Sequence, residues 1–238
     1  MTEAAILPAK GVFIDNEWVA SASGGTIDVI APAEGVKFAE IAAGNKADVD
    51  RAVAAARAAL AGDWGKLSAT ERGRLLTRLG LRIAEVAEEL AQLESRDTGK
   101  PLTQARNDMV ATARYFEYYG GAADKVHGDT IPFMPGYFVT TEHVPHGVTG
   151  HIIPWNYPAQ MFGRTVGPAL AMGNACVVKP AEDACLTRCA WPNWRPRSAF
   201  LRARSTSCRD WARRRATRCP IIRESTSSRS PAARRSAR

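Results

Sequence analysis

The sequence is short of several things, and each shortage removes a class of protein. Its first ten residues have no basic start followed by an apolar core, so no secretory signal is visible. No apolar run reaches the length that spans a bilayer, so no membrane partner is expected. The 5 cysteines are odd in number and follow no framework spacing. That usage fits a reducing compartment rather than a disulfide scaffold, and the expected location is cytoplasmic. His127, His143, His146 and His151 cluster along the chain but match no common zinc pattern, and no carboxylate or thiol grouping completes a shell. No metal site is expected.

The sharpest shortage is local. Residues 188–238 contain no Gly, no Val and no Lys, yet hold 15 Arg against one Asp and one Glu. Residues 1–187 hold 17 Lys and Arg against 22 Asp and Glu. The formal charge of +8 thus joins a body at −5 to a tail at +13, and it does not describe the folded part. Two chemically different pieces meet near Thr187. An arginine-rich arm with Trp191, Trp194 and Trp211 interleaved has the chemistry of a nucleic-acid binder, with guanidinium groups for phosphates and indoles for bases.

What is present is concentrated in Gly147 to Glu182, GVTGHIIPWNYPAQMFGRTVGPALAMGNACVVKPAE. Val148 to Ile153 is an apolar run of buried-strand length. Pro154-Trp155-Asn156-Tyr157-Pro158 is too rich in proline to continue it and predicts a turn. Ala159 to Met172 places Met161, Phe162, Val166 and Leu170 at helical spacing, and Gly173-Asn174 stops the helix. Ala175 to Val178 predicts a second buried strand. Strand, turn, helix and strand at this length make one βαβ crossover, hence a parallel sheet and an α/β fold. Ligands on such sheets lie beyond the carboxyl ends of the strands. Trp155 and Asn156 follow the first strand there; Lys179 and Glu182 follow the second.

Upstream, Val12 to Val19 predicts a hairpin turning at Asp15-Asn16, with Trp18 as packing. Asn45 caps a helix over about 46–61 with Val49, Val53 and Leu60 on one side. Ser68 and Glu71 form a capping box for a helix that carries Leu75, Leu76, Leu79, Ile83, Val86, Leu90 and Leu93 and ends at Gly99-Pro101. Another helix runs over about 102–123. Asp129 to Pro145 predicts an extended hairpin about Pro135-Gly136, with the composition of an edge strand.

IIPWNYP followed by GPALAMGNACVVKPAE closely resembles the NAD(P)-dependent aldehyde dehydrogenase superfamily, without a gap. The resemblance reaches back to FIDNEWV near the start and forward to Thr187. It implies a partial Rossmann-like parallel sheet from the cofactor domain over 1–187, with 129–145 as a protruding arm that pairs with other subunits in a homo-oligomer. It implies NAD-dependent oxidation of an aldehyde to a carboxylic acid through a thiohemiacetal, hydride transfer and hydrolysis. Asn156 is then a donor to the oxyanion of the adduct, a task that suits an amide because it does not titrate. On the residues alone, Asn156 between Pro154 and Pro158 reads as a helix cap. The resemblance makes Lys179 and Glu182 partners of the adenosine ribose, and Ile153 and Trp155 the lining of the nucleotide channel. Glu182 would repel a ribose phosphate, so the cofactor expected is NAD. On residues alone, Lys179 and Glu182 are a solvated pair on a loop.

The family's phosphate-binding turn, general-base Glu and nucleophilic Cys lie further along its chains and have no counterpart here. The chain is therefore expected to be inactive by itself, or a nonenzymatic piece that pairs with intact subunits. Cys176 reads as an inert thiol in an apolar strand. Cys185 stands near a helix start but outside the family's nucleophile context. A frameshift accounts for the tail. Read in an alternate frame, the codons of Trp191 to Arg195 allow Leu-Ala-Glu-Leu-Ala. Those of Ile221 to Pro231 allow a run resembling the family's cofactor-binding segment. Loss of one base after the Thr187 codon would produce this tail, and nucleic-acid binding ranks below that explanation.

Overall fold

The computed structural model describes residues 11–187. The expectations for 188–238, including Cys189, Cys208 and Cys219, lie outside the described residues. The described chain is α/β, with strands β1 (Val12–Ile14) to β8 (Ala175–Pro180) and helices α1 (Lys46–Ala61) to α6 (Pro158–Ala171).

It opens on a hairpin of β1 and β2 (Glu17–Val19), paired antiparallel from Val12 opposite Val19 to Ile14 opposite Glu17. Asp15 at φ 55° and Asn16 at φ 64° form its turn, as the sequence predicts. Short polar side chains tolerate that left-handed backbone, which matches the twist of the flanking strands. Trp18 packs edge-on against Phe13 with centroids 5.2 Å apart. A second antiparallel hairpin, β3 (Thr26–Ala31) and β4 (Val36–Ala42), was not expected. Its β3 alternates exposed and buried residues, the pattern of a half-covered strand.

Asn45 caps α1 in a full capping box with Asp48. The face that α1 buries consists of Asp48, Ala52, Ala56 and Ala59 rather than Val49, Val53 and Leu60, which are only partly covered. Small side chains let α1 lie close to β8; Ala52 and Ala56 share a cluster with Ala175 and Val177. After the short helix α2 (Asp63–Lys66) comes a correction. The single helix expected from Ser68 to Gly99 is two, α3 (Ala69–Glu85) and α4 (Ala87–Thr98). The break is Val86, at φ −113° and ψ 18°, outside helical geometry. Apolar spacing runs unbroken through Ile83, Val86 and Leu90, so the pattern carries no mark of the bend.

Helix α5 (Leu102–Ala122) crosses α3 at glycine. A Cβ on Gly73 would stand 2.4 Å from the Gly120 carbonyl oxygen, and one on Gly80 2.8 Å from that of Ala113. Backbones at this distance exclude any larger residue. Helices α3, α5 and α6 bury Leu76, Phe116, Met109, Phe162 and Val166 in one core that also takes Leu90 of α4, Ile153 and Val178.

Between α5 and the last unit runs the arm, β5 (Thr130–Ile131) paired antiparallel with β6 (Val139–Thr140). It is an extended hairpin as predicted, and its Phe133, Tyr137 and Phe138 are exposed. Then β7 (Val148–Ile153), α6 and β8 form the expected crossover, with β7 and β8 parallel and in register from Val148 opposite Ala175 to Ile153 opposite Pro180. Among the described residues the parallel sheet has these two strands. Gly173, at φ 81°, ends α6. Asn174 then locks the return: its Nδ2 donates to the Ala169 carbonyl at 2.9 Å, and its Oδ1 accepts the Gly147 N–H at 3.0 Å.

Candidate cofactor site

The register of the parallel pair sets the site. Because Ile153 faces Pro180, the turn 154–157 and the loop after β8 leave the sheet at the same end. That end is the carboxyl edge, where a parallel sheet presents its ligand.

Strand β8 runs two residues further than the sequence predicts and includes Lys179. The Lys179 side chain is largely buried, at 10% exposure, and its Nζ lies 2.9 Å from Glu182 Oε1. The two reach one another because an Ala181–Ala184 bridge turns the chain back after the strand. The solvated-loop reading of this pair therefore fails for Lys179. An ammonium donor and a carboxylate acceptor stand side by side, the pattern that a vicinal diol satisfies with its own donor and acceptor.

On the neighbouring turn, Trp155 is 61% exposed and Asn156 is exposed. Helix α6 has Tyr157 as its N-cap, with no side-chain capping bond. Asn156 is thus not the helix cap that its proline-flanked position suggests. Ile153 differs from Trp155: its side chain is 2% exposed and belongs to the core, so only its backbone is left for a channel.

The missing local cap is supplied from afar, by residues that the motif does not contain. Glu94 of α4, fully buried, accepts the Ala159 N–H through Oε2 at 3.2 Å. Its Oε1 accepts from Lys100 Nζ at 2.8 Å, and Lys100 also donates to Asp108 Oδ2 at 2.7 Å. Burial by itself would lower the Lys100 pKa; the bonds to Asp108 and Glu94 outweigh it, and the ammonium ends above its ordinary value. Burial pushes the Glu94 carboxyl up, with Lys100 and the Ala159 N–H pulling the other way. One turn along α4, Asp97 accepts the Leu186 N–H at 2.8 Å. Burial, with the nearby Glu94 charge, pushes its pKa up to about 7. Sequence reading missed these acids, although a signal was there. Leu90, Glu94 and Asp97 share the buried stripe of α4 at helical spacing, and acids on an apolar stripe require partners.

Both cysteines among the described residues, Cys176 and Cys185, are buried. Burial pushes the Cys176 thiol up to about 12, so it is inert as expected. The described residues hold no cluster of three or more metal-ligating side chains, and no described helix is long and apolar enough to cross a membrane.

The aldehyde dehydrogenase family model matches residues 18–191, a span that contains every site residue named above. Human retinal dehydrogenase 2 is 46% identical over 179 residues, covering 74% of this chain and 35% of that protein. Hydroxyisobutyraldehyde dehydrogenase of Mycolicibacterium austroafricanum is 47% identical over 176 residues, again 74% of this chain and 35% of the relative. The chain thus spans about a third of the length of the curated relatives it matches. Among solved structures, a putative aldehyde dehydrogenase from Burkholderia cenocepacia is 56% identical with a TM-score of 0.76, over 83% of this chain and 42% of that one. PnpE, solved with nicotinamide adenine dinucleotide, is 40% identical with a TM-score of 0.79, over 86% of this chain and 42% of its own. The fold is that of the family's cofactor domain, and with the family model matched along most of its length the chain belongs to the aldehyde dehydrogenase family.

Proposed function

We propose that this chain contributes the adenosine-binding edge and the oxyanion donor of an enzyme that oxidises an aldehyde to a carboxylic acid with NAD. The observation that carries the reading is the Lys179–Glu182 pair, held 2.9 Å apart at the carboxyl end of β8, beside the turn that exposes Asn156. Lys179 donates to a ribose hydroxyl and Glu182 accepts from its neighbour. A phosphate on that ribose would meet the Glu182 carboxylate, so the pair discriminates against NADP by repulsion. Trp155 borders the nucleotide with its exposed ring, and Ile153 with its backbone. Asn156 offers an amide donor to the negative oxygen that forms when an aldehyde carbonyl is attacked.

The described residues supply no activated thiol for that attack, since Cys176 is raised to about 12 and Cys185 is buried. We therefore expect the described residues by themselves to bind nucleotide weakly and to turn over no aldehyde. Titration with NAD and NADP, followed by an NADH-formation assay on a panel of aldehydes, tests both halves. Equal affinity for the two nucleotides removes the Glu182 assignment. Turnover that survives Cys185→Ala removes the mechanism.

A second reading rests on the arm. Phe133, Met134, Tyr137 and Phe138 are exposed together along it, at 50–82%. We infer that 129–145 pairs with the same hairpin or a sheet edge of other subunits, giving a homo-oligomer or a nonenzymatic complex with longer relatives. Sizing the chain with and without a full-length relative tests it. We infer that 188–238 arises from an out-of-frame reading, and sequencing the template around the Thr187 codon decides it. The odd cysteine count fits a cytoplasmic enzyme.

A further inference from the structure

The charged residues that the cofactor reading leaves unused form one buried cluster beside the turn that carries Asn156. Lys100 sits at its centre, bonded to Glu94 at 2.8 Å and to Asp108 at 2.7 Å. Each carboxylate then has one oxygen left, and both of those oxygens face α6. Glu94 Oε2 accepts from the Ala159 N–H at 3.2 Å, and Asp108 Oδ1 from Gln160 Nε2 at 3.4 Å. Lys100 Nζ also lies 4.9 Å from the centroid of the Tyr157 ring. The hydroxyl of that ring accepts from Gln104 Nε2 at 3.0 Å. The residues one, three and four positions after Asn156 are thus each held by α4, α5 or the segment between them.

We propose that Glu94, Lys100 and Asp108 are positioning residues, which fix the turn 154–157 against α4 and α5 and so set the direction in which Asn156 presents its amide. The functional half of this proposal rests on the reading of Asn156 as an oxyanion donor. Such a donor contributes in proportion to how firmly it is oriented before the charge develops. Asn156 is exposed at the tip of a proline-bounded turn, so its orientation has to come from what anchors that turn. A carboxylate at the start of α6 is favoured by the helix dipole, and it replaces the cap that Tyr157 does not supply. Buried ion clusters are poor sources of stability, since well-packed apolar residues of similar volume often do as well. Their placement under a site is better accounted for by geometry than by folding energy.

The test uses nitrogen-15 relaxation and amide hydrogen exchange on the 238-residue chain, with Glu94→Leu, Lys100→Met and the double variant. The double variant would leave Asp108 buried without its cation, so it also carries Asp108→Asn, which protects the fold. In the parent, the backbone of 155–157 should be rigid, with order parameters near about 0.85, and in the variants it should fall below about 0.6. Exchange of the Ala159 amide should speed up by about tenfold. The Asp15–Asn16 turn, which the cluster does not touch, should stay as it was. A variant that melts earlier but keeps a rigid 155–157 turn would show a role in stability alone and overturn the proposal, as would a mobile turn in the parent. Where NADH formation is measurable, kcat should fall while KM for NAD holds; a change confined to KM counts against positioning. Where the parent does not bind NAD at all, the site reading fails separately, and the relaxation data still decide the clamp.

Discussion

Strand β8 and the arm are both extended chain, and their surroundings are opposite. All six residues of β8 are buried, with no alternation along the strand. Helices α1 and α6 lie against it, and β7 pairs with it. The arm strands are two residues each and face solvent almost throughout. Phe138 there is 82% exposed, while Val178 of β8 is fully buried. An aromatic ring in water and a valine in a core obey the same transfer energetics. The difference is that β8 has its cover within the described chain and the arm does not. Stability should therefore depend on the β7–α6–β8 unit and the helices beneath it, and very little on the arm.

The largest effect expected from that contrast is at Phe116. It is fully buried on α5 and meets Phe162 of α6 with centroids 6.0 Å apart. Phe116→Ala should cost about 3–5 kcal/mol by urea denaturation of the full chain, since a ring-sized cavity in a packed core relaxes only in part. A loss under about 1 kcal/mol would mean that the α5–α6 contact is not the core of the molecule.

Asp97 sharpens the comparison through pH. Its folded pKa stands at about 7 against an ordinary value of 3.8, so the folded state holds the proton more tightly. The stability this contributes is complete below about pH 4 and is lost as pH rises through 7, at about 1.4 kcal/mol for each pH unit between the two values. Asp48 and Glu71, whose pKa values are lowered, act in the opposite sense and lose their contribution on acidification. The difference between parent and Asp97→Asn isolates the Asp97 part. The variant should gain on the parent by roughly 3–4 kcal/mol between pH 4 and pH 8, in paired denaturation curves. Parallel curves would show that Asp97 is charged and satisfied in the fold.

How much of this was legible follows from where the information lies. The β7–α6–β8 unit is written locally: apolar runs of strand length, Pro158 at a helix start and Gly173 at its end are adjacent in sequence to what they control. The Asp15–Asn16 turn and the Asn45 and Ser68 caps are local for the same reason. The β3–β4 hairpin went unread although Thr26 to Val29 of β3 alternates polar and apolar residues; its partner β4 is at most partly buried and adds no matching burial pattern. The bend at Val86 is invisible because no glycine or proline marks it. Lys179 and Glu182 stand in the motif that carries the family resemblance, but their ion pair depends on the Ala181–Ala184 bridge, which no local pattern marks. The cluster of Glu94, Lys100 and Asp108 acts on residues more than fifty positions away, beyond any local pattern.

A smaller effect separates the site from the scaffold. Glu182→Gln removes the charge that would face a ribose phosphate but keeps an acceptor for a hydroxyl. Affinity for NADP should rise towards that for NAD, by several-fold up to about tenfold, while denaturation midpoints stay close to those of the parent. Isothermal titration with both nucleotides measures it. An unchanged ratio would place the ribose elsewhere.

The smallest effect should come from the arm, and it bears most directly on the contrast. Phe138→Ser removes a large ring that is 82% exposed. Little of that ring leaves water on folding, so the transfer energy given up is small. Phe133 and Tyr137 pack edge-on with centroids 5.7 Å apart and remain to order the tip. Unfolding of the dilute chain should therefore shift by no more than about 0.5 kcal/mol. The same substitution should weaken self-association or pairing with a longer relative, because an exposed aromatic cluster of this kind is where a partner buries its own apolar surface. Sedimentation at increasing concentration, read beside the denaturation curve, separates the two. A loss of more than about 2 kcal/mol in the dilute chain would place Phe138 in a core of this chain, and the opposition between arm and sheet would collapse.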